Sequence, residues 1–236
     1  INKGMQLPTQ LFIGQVIAML SIPLMYFATP MQIAICALMY FGINCLGMTM
    51  GYHRYFAHKT FNAPKWLEYV MLFFGHIHMV GPVLLWCANH REHHRYADTP
   101  DDPHSPYYKG WFYAHFLQVF TDIKLNYVRD LLKNDLFKAQ HSAYWQIMAC
   151  WAVFLMLIDP YALVYAWLAP TGLSKLIGSF VFSYSHRGRK PNSDTWLGLL
   201  TFGEGFHNTH HDNPKLSKWH PLDIGGHLIN WVGRHK

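Results

Sequence analysis

Apolar residues dominate two long stretches near the start of the chain. Residues 11–28 and residues 31–50 carry no charged side chain, and each approaches the roughly 20 residues that a helix needs to cross a bilayer. Only Thr29 and Pro30 separate the two stretches. The pattern therefore predicts two membrane helices that form a hairpin with a very short connecting loop.

A second apolar pair follows later in the chain, at about residues 143–158 and 161–185. Asp159 and Pro160 separate its two halves, and Lys175 interrupts the second half. A lysine inside a membrane helix reaches the interface or faces the protein interior. We therefore predict four transmembrane helices in total.

Two polar stretches, residues 51–142 and 186–236, lie between and after these segments. They contain all but two of the 19 lysines and arginines. Because positively charged loops are retained in the cytoplasm, both stretches and both chain termini are predicted to lie on the cytoplasmic side. The predicted fold class is all-α: one multi-pass integral membrane domain over residues 1–236, with four transmembrane helices and a cytoplasmic helical cap.

Residues 67–87 are apolar enough to form a further span, but His76, His78, Gly81 and Pro82 interrupt them. If this segment crossed the bilayer, the histidines before and after it would lie on opposite faces of the membrane. We therefore expect a buried or interfacial helix here.

The composition agrees with a membrane protein. Charged residues make up 14% of the chain, well below the roughly 25% of a soluble domain. The net charge of +6 comes without a basic stripe or recognition motif, so no nucleic-acid partner is expected. The four cysteines are scattered and form no CxxC pair, which argues against a thiolate metal site.

Histidines recur in three short clusters on the predicted cytoplasmic side, with the sequences "HRYFAH", "HREHH" and "HNTHH". A further histidine stands alone, directly after the fourth apolar segment. Together they supply His53, His58, His90, His93, His94, His186, His207, His210 and His211.

The spacing within the clusters carries structural information. On a helix, positions i, i+3 and i+4 lie on one face, so each HxxHH cluster is expected to aim three imidazoles at one point. HxxxxH does not do this on an ideal helix. We therefore expect His53 to end the second membrane helix, and His58 to be brought back to it by a distortion or a turn.

These clusters indicate a metal site. Imidazole is the commonest transition-metal ligand, and eight or nine imidazoles can hold two ions. One HxxHH alone is equally typical of an ordinary surface helix, but two copies with HxxxxH on one membrane face make coincidence improbable. Ligand type does not exclude zinc, yet a structural zinc site needs only about four ligands. The number of nitrogens favours a pair of redox metals with room for oxygen.

The residues around the clusters resemble the three histidine boxes of the membrane fatty acyl desaturases. "GMTMGYHRYFAHKTF", "ANHREHHRYADTPDDPHSP" and "GEGFHNTHHDNP" are most similar to the stearoyl-CoA desaturase-like branch, with matching order and spacing from about residue 10 to 231. The resemblance implies two iron ions, O2 as co-substrate, and all nine histidines as metal ligands and catalytic residues. Animal-type members have an asparagine that holds a water on one metal; here that position is Phe182, which leaves the water ligand and the exact chemistry open.

Other residues near the boxes have weaker assignments. Acidic residues could orient the imidazoles through their second nitrogen, and we expect this of Asp98 and Glu204, with loop caps or solvated charges as the alternative. Trp86 lies about one turn before His90 and either borders a substrate channel or only packs. The remaining histidines are expected to be structural: His76, His78, His104, His115, His141, His220, His227 and His235.

The predicted reaction follows from the chemistry of a methylene group. Its C–H bonds offer no acidic proton, so a metal–oxygen oxidant is required. We predict an O2-dependent di-iron desaturase that inserts a cis double bond into a fatty acyl chain carried by coenzyme A, acyl carrier protein or lipid; a Δ9 position follows from the resemblance only. Because no fused haem or flavin domain is evident, a separate donor such as ferredoxin or a small cytochrome is expected.

Two kinds of alternative stay open. One is another oxidation on the same scaffold: hydroxylation, acetylene formation or oxidative decarboxylation. The other is a histidine-rich metal transporter, which would need ionisable residues at mid-membrane depth along several spans. The first two predicted spans contain none beyond amide and hydroxyl types.

Overall fold

A computed structural model describes residues 6–188 and 190–233 of the chain. Both chain termini and His235 lie outside these residues. The cytoplasmic position predicted for the termini therefore also lies outside the described part of the chain. Within the described residues every regular element is helical, and paired extended backbone occurs as isolated bridges, one of which joins Ser193 and Phe206. The all-α prediction is confirmed for this part of the chain.

Eleven α-helices follow one another in the described residues. They are α1 (Gln6–Ser21), α2 (Pro30–Phe41), α3 (Lys65–Ile77), α4 (Val83–Tyr96), α5 (Pro106–Lys109), α6 (Asp135–Ser142), α7 (Tyr144–Ile158), α8 (Ala169–Ser183), α9 (Thr195–Leu200), α10 (His207–Asp212) and α11 (Ile224–Val232). Short 3₁₀ turns cover Ile22–Phe27, Gln118–Phe120, Leu125–Val128 and Leu131–Lys133. Wider π-helical segments cover Gly42–Ala57, Tyr113–Leu117 and Val164–Leu168.

Two helices are long and apolar enough to cross a membrane: Leu7–Phe27 and Pro30–Ala57. The loop between them ends in a capping box, in which Thr29 and Gln32 satisfy each other's backbone N–H groups. Leu20 and Leu38 project from these helices with 71% and 67% of their surface exposed, as expected for side chains that face lipid. The first two predicted spans are therefore present as candidate membrane helices joined by a short loop.

The third and fourth predicted spans are helical but less regular. A third crossing requires α6 and α7 together, and these helices bend by 69° at their junction. Helix α8 and the π-helical turn before it occupy the fourth predicted segment, without meeting the length and hydropathy criteria for a span. The structure thus supports a membrane protein with two to three candidate crossings.

The second long helix changes its winding at Gly42. From there to Ala57 the backbone follows the π-helical pattern, in which hydrogen bonds join residues five apart. At its end the N–H of His58 donates to the carbonyl of His53 at 3.1 Å. One turn therefore separates the two histidines, which is the distortion that HxxxxH requires. Close packing against α3 depends on glycine, since a Cβ at Gly47 would lie 2.5 Å from the backbone nitrogen of Gly75.

The helix expected over residues 67–87 is divided into α3 and α4, because the chain turns between them. Gly81 has a φ of +98° and Met79 a φ of +60°, and Pro82 then starts α4. Gly81 adopts this left-handed conformation without the strain that a side chain would add. The corner brings His78 back against α1 and α8, next to the cavity described below.

A buried ion pair fixes the C-terminal segment to the histidine region. Arg54 Nη2 lies 3.0 Å from Asp223 Oδ2, and neither side chain is exposed. Asp223 also accepts the backbone N–H of Gly226 and so caps α11. The guanidinium of Arg54 lies 3.6 Å above the ring of Trp219, whose ring centroid is 4.4 Å from that of His210. The tail is therefore part of the wall around the histidines.

Candidate metal centre

Five imidazoles form the first of two all-histidine groups of candidate metal ligands; a third, smaller group, of His93, Asp102 and His104, shares His93 with the second. The members of the first group are His53, His58, His90, His94 and His210, and one ring nitrogen of each lies within 4.8 Å of those of the others. His210 Nε2 is 2.9 Å from His53 Nε2 and 2.7 Å from His94 Nε2. His58 Nε2 is 2.8 Å from His90 Nε2. The nitrogens thus converge on one point.

Four further imidazoles form the second group, which consists of His93, His186, His207 and His211. His207 Nε2 lies 2.8 Å from His186 Nε2 and 3.1 Å from His211 Nε2. The two groups are adjacent, because the stacked rings of His94 and His211 have centroids 4.3 Å apart. Every histidine that the sequence nominated as a ligand therefore lies in one of two neighbouring groups.

The expectation that each HxxHH aims three imidazoles at one point is wrong. In α4, His90 and His94 join the first group and His93 joins the second. In α10 the same division recurs: His207 and His211 belong to the second group, and His210 belongs to the first. The reason is rotation along the helix, since positions i+3 and i+4 differ in direction by about 100°. Each HxxHH therefore serves both groups.

Burial and mutual repulsion favour the neutral form of six of these imidazoles. Burial first, and the neighbouring histidines second, lower the pKa of His94 to about 4 and that of His58 to about 2. The same two causes hold the pKa well below its ordinary value for His90, His93, His207 and His210. A neutral imidazole has one nitrogen lone pair free, and this is the form that binds metals.

Three carboxylates fix the orientation of the rings. Nδ1–H of His53 donates to Glu204 at 2.5 Å, that of His93 to Asp102 at 3.0 Å and that of His186 to Asp98 at 3.1 Å. This tautomer leaves each Nε2 lone pair aimed at the centre of its group. Glu204 and Asp98 contact imidazoles as the sequence suggested. Asp102 does so as well, but in "ADTPDDPH" nothing distinguishes it from the neighbouring Asp101.

Replacing Asp102 by asparagine is expected to weaken metal binding about 10- to 100-fold, because the charged partner that holds His93 is lost. Competition with a chelator measures the affinity of each protein for the metal. Asp101→Asn is the matched control, since Asp101 is exposed beside it and should bind as the wild type does. Equal affinities in both variants would show that Asp102 has no orienting role.

His104 lies beside the second group without joining it. Its ring stacks on that of His93 with centroids 4.4 Å apart, and among the described residues neither of its ring nitrogens has a hydrogen-bond partner. The ring of Phe182 contacts its other side at 5.0 Å. By contrast, His76 bonds to Tyr144 and Gln140, and His115 bonds to Ser183. Those two side chains have the satisfied contacts of structural residues.

A cavity of about 440 Å³ opens beside the histidines. His53, His90 and His207 line it at one end, and its walls are mostly apolar. Trp86 forms part of the wall and stacks on His90, with ring centroids 4.8 Å apart. Trp86 therefore fills both predicted roles, because it lines the cavity and packs against His90. A cavity of this size suits one small or elongated apolar ligand.

The donor set fits metal ions. Nine imidazoles supply neutral nitrogen ligands, carboxylates hold three of their rings, and the buried Nε2 of His93 has no protein partner in the described part of the chain. The fold and the site together define a class: a protein with candidate membrane helices and a histidine-rich candidate metal site beside a mostly apolar cavity.

Comparison with known sequences gives the family. Residues 28–222 match the family model described as "Fatty acid desaturase". The chain belongs to the fatty acid desaturase family, whose members are oxidoreductases that act on acyl chains.

Several characterised plant and cyanobacterial proteins are similar to the chain. Delta-9 acyl-lipid desaturase 1 of Arabidopsis thaliana is 27% identical over 83% of this chain and 70% of its own length. The sn-1 stearoyl-lipid 9-desaturase of Synechocystis is 31% identical over 74% of this chain and 59% of its own length. The sn-2 palmitoyl-lipid 9-desaturase of Nostoc is 30% identical over 76% of this chain and 70% of its own length. The chain thus spans between three fifths and seven tenths of these relatives.

Proposed function

We propose that the protein is an O2-dependent, di-iron acyl desaturase that inserts a cis double bond at a Δ9-like position. The observation that carries this proposal is the convergence of nine imidazoles in two groups at the wall of an apolar cavity. The relatives named as 9-desaturases support the position of the double bond. The nine histidines act as the ligands of the two irons.

Iron supplies the oxidising chemistry when it is bound. The acyl chain loses two hydrogens from adjacent carbons, and O2 takes up these together with two electrons and two protons to give two waters. The two electrons come from a separate donor, such as ferredoxin or a small cytochrome. The acyl chain arrives on lipid, as in the names of the relatives, on coenzyme A or on acyl carrier protein.

The side chains of the protein prepare this reaction. The Nε2 atoms of the two groups hold the metals, while Glu204, Asp102 and Asp98 keep the rings in the binding tautomer. The apolar cavity wall, including Trp86, holds one part of the acyl chain near the histidines and keeps water away from it. Because the cavity opens beside both groups, two neighbouring carbons can face the site at once.

We also propose the membrane arrangement. The chain crosses the bilayer four times, at about residues 11–28, 31–50, 143–158 and 161–185, with the histidines on the cytoplasmic side. Positively charged residues in the intervening stretches support this orientation. An apolar substrate then reaches the cavity from the bilayer.

Product analysis tests the proposed reaction. A host that expresses the protein with a suitable electron donor is fed deuterated palmitate or stearate, and its lipids are analysed by mass spectrometry. An internal cis olefin at the ninth carbon is expected. Phe182 lies close to the second group through its contact with His104, and hydroxylation is the main rival reaction. An alcohol, an acetylene or a terminal alkene as the product would contradict desaturation.

A further inference from the structure

One part of the cavity wall is polar and carries a buried positive charge. Lys175 and Ser174 of α8, His78 of the α3–α4 corner and Gln15 of α1 all line it. Each of these side chains is at least nine-tenths buried. Along α8, Lys175 lies seven residues before Phe182, a distance of about 10 Å. We call these four residues the polar pocket; they line the same cavity as His53, His90 and His207.

Most groups of the polar pocket lack partners among the described residues. No described carboxylate lies within 4.0 Å of the Lys175 ammonium. Ser174 Oγ and both ring nitrogens of His78 also have no hydrogen-bond partner among the described residues. Gln15 donates its side-chain amide N–H to the carbonyl of Met79 at 2.8 Å, and its side-chain oxygen can accept a hydrogen bond. The pocket is thus rich in donors.

An unpaired arrangement of this kind is unfavourable in the free protein. Buried polar groups are nearly always hydrogen-bonded, and a buried cation without a partner costs more than a neutral group. Ionisable residues in membrane helices mark functional positions. Burial and then the nearby Lys175 charge lower the pKa of His78 to about 3, so His78 is neutral and can donate one N–H. A ligand that brings an anionic acceptor would satisfy all three donors.

We propose that this pocket binds the carboxylate of an unesterified fatty acid. Lys175 supplies the charge, and His78 and Ser174 supply hydrogen bonds to the carboxylate oxygens. The hydrocarbon chain then fills the apolar part of the same cavity, which His53, His90 and His207 also line. This assignment rests on the proposed function in taking an acyl chain as the occupant, and it adds the free acid to the forms in which the substrate can bind.

Binding measurements on the purified, iron-loaded protein in detergent test this proposal without turnover. Calorimetric titration compares palmitate with methyl palmitate, which has the same chain but no charge. We expect wild-type protein to bind palmitate at least about tenfold more tightly than the ester. Equal affinity for acid and ester would overturn the proposal, and this comparison needs no variant.

Substitution of Lys175 locates the effect. Lys175→Met is expected to remove the preference for palmitate and to leave the affinity for the ester unchanged, whereas Lys175→Arg should keep the preference. Lys133→Met is the matched control, because Lys133 is an exposed lysine on the same chain. Undiminished palmitate binding by Lys175→Met would also overturn the proposal.

The result for carboxylate binding can be distinguished from the result for desaturation. If palmitate is preferred through Lys175 and no olefin forms, the carboxylate site stands and desaturation fails. If olefin forms and no preference for the acid is measured, desaturation stands and the carboxylate site fails.

Discussion

Replacing His210 by alanine is expected to lower bound metal from two ions per chain to one or fewer, and acyl oxidation at least about 100-fold. His210 Nε2 is the nitrogen that approaches both His53 and His94, at 2.9 and 2.7 Å. Removing His210 leaves four imidazoles in the first group and takes away the nitrogen that lies between His53 and His94. Metal content by elemental analysis and product formation by mass spectrometry measure the two effects together.

The control for this substitution is another histidine on the C-terminal part of the chain. His227 is exposed, and its ring bonds to the carbonyl of Pro221 at 2.7 Å. His227→Ala should retain both metal and activity. Full activity in His210→Ala would contradict the assignment of the first group, whereas loss in both variants would point to a general effect on folding.

Replacing Asp223 by alanine is expected to destabilise the folded protein by about 3–5 kcal/mol. Arg54 would keep a fully buried charge with no carboxylate partner, because among the described residues it pairs with Asp223 alone. The N-terminal cap of α11 is lost in the same step, which adds about 1 kcal/mol. Because Arg54 lies over Trp219, and Trp219 packs on His210, metal content should fall as well.

A denaturant titration of the detergent-solubilised protein, followed by tryptophan fluorescence, measures this destabilisation. The matched control is Asp135→Ala, which breaks the exposed Asp135–Lys138 pair on α6. Exposed ion pairs contribute little, so its unfolding midpoint should equal that of the wild type. An unchanged midpoint for Asp223→Ala would show that the buried pair does not stabilise the fold.

The histidines of the site could be identified from the sequence. How they divide between the two groups could not. Spacing predicts that residues of one HxxHH cluster lie near each other, because this depends on helix geometry alone. Their division between two groups depends on where four separate segments meet, which is long-range packing. The same reason explains why Asp102 could not be distinguished from Asp101: only the fold shows which carboxylate reaches His93.

The apolar pattern and the structure agree on the first two candidate membrane helices and differ on the fourth predicted span. Leu7–Phe27 and Pro30–Ala57 are exposed on one side, and both were recognised. Helix α8 is different, since it buries Gly172, Ser174 and Lys175 against the rest of the protein. Small and polar residues therefore replace apolar ones along it, and a test based on composition does not detect it as a span.

The central claim is that two groups of imidazoles hold two irons, and the iron content of the wild-type protein tests it most directly. Protein purified after expression with iron, and freed of loosely bound metal by a chelator, is analysed for iron and for total protein. The account predicts two irons per chain. A value of one or fewer in active, folded protein would contradict it.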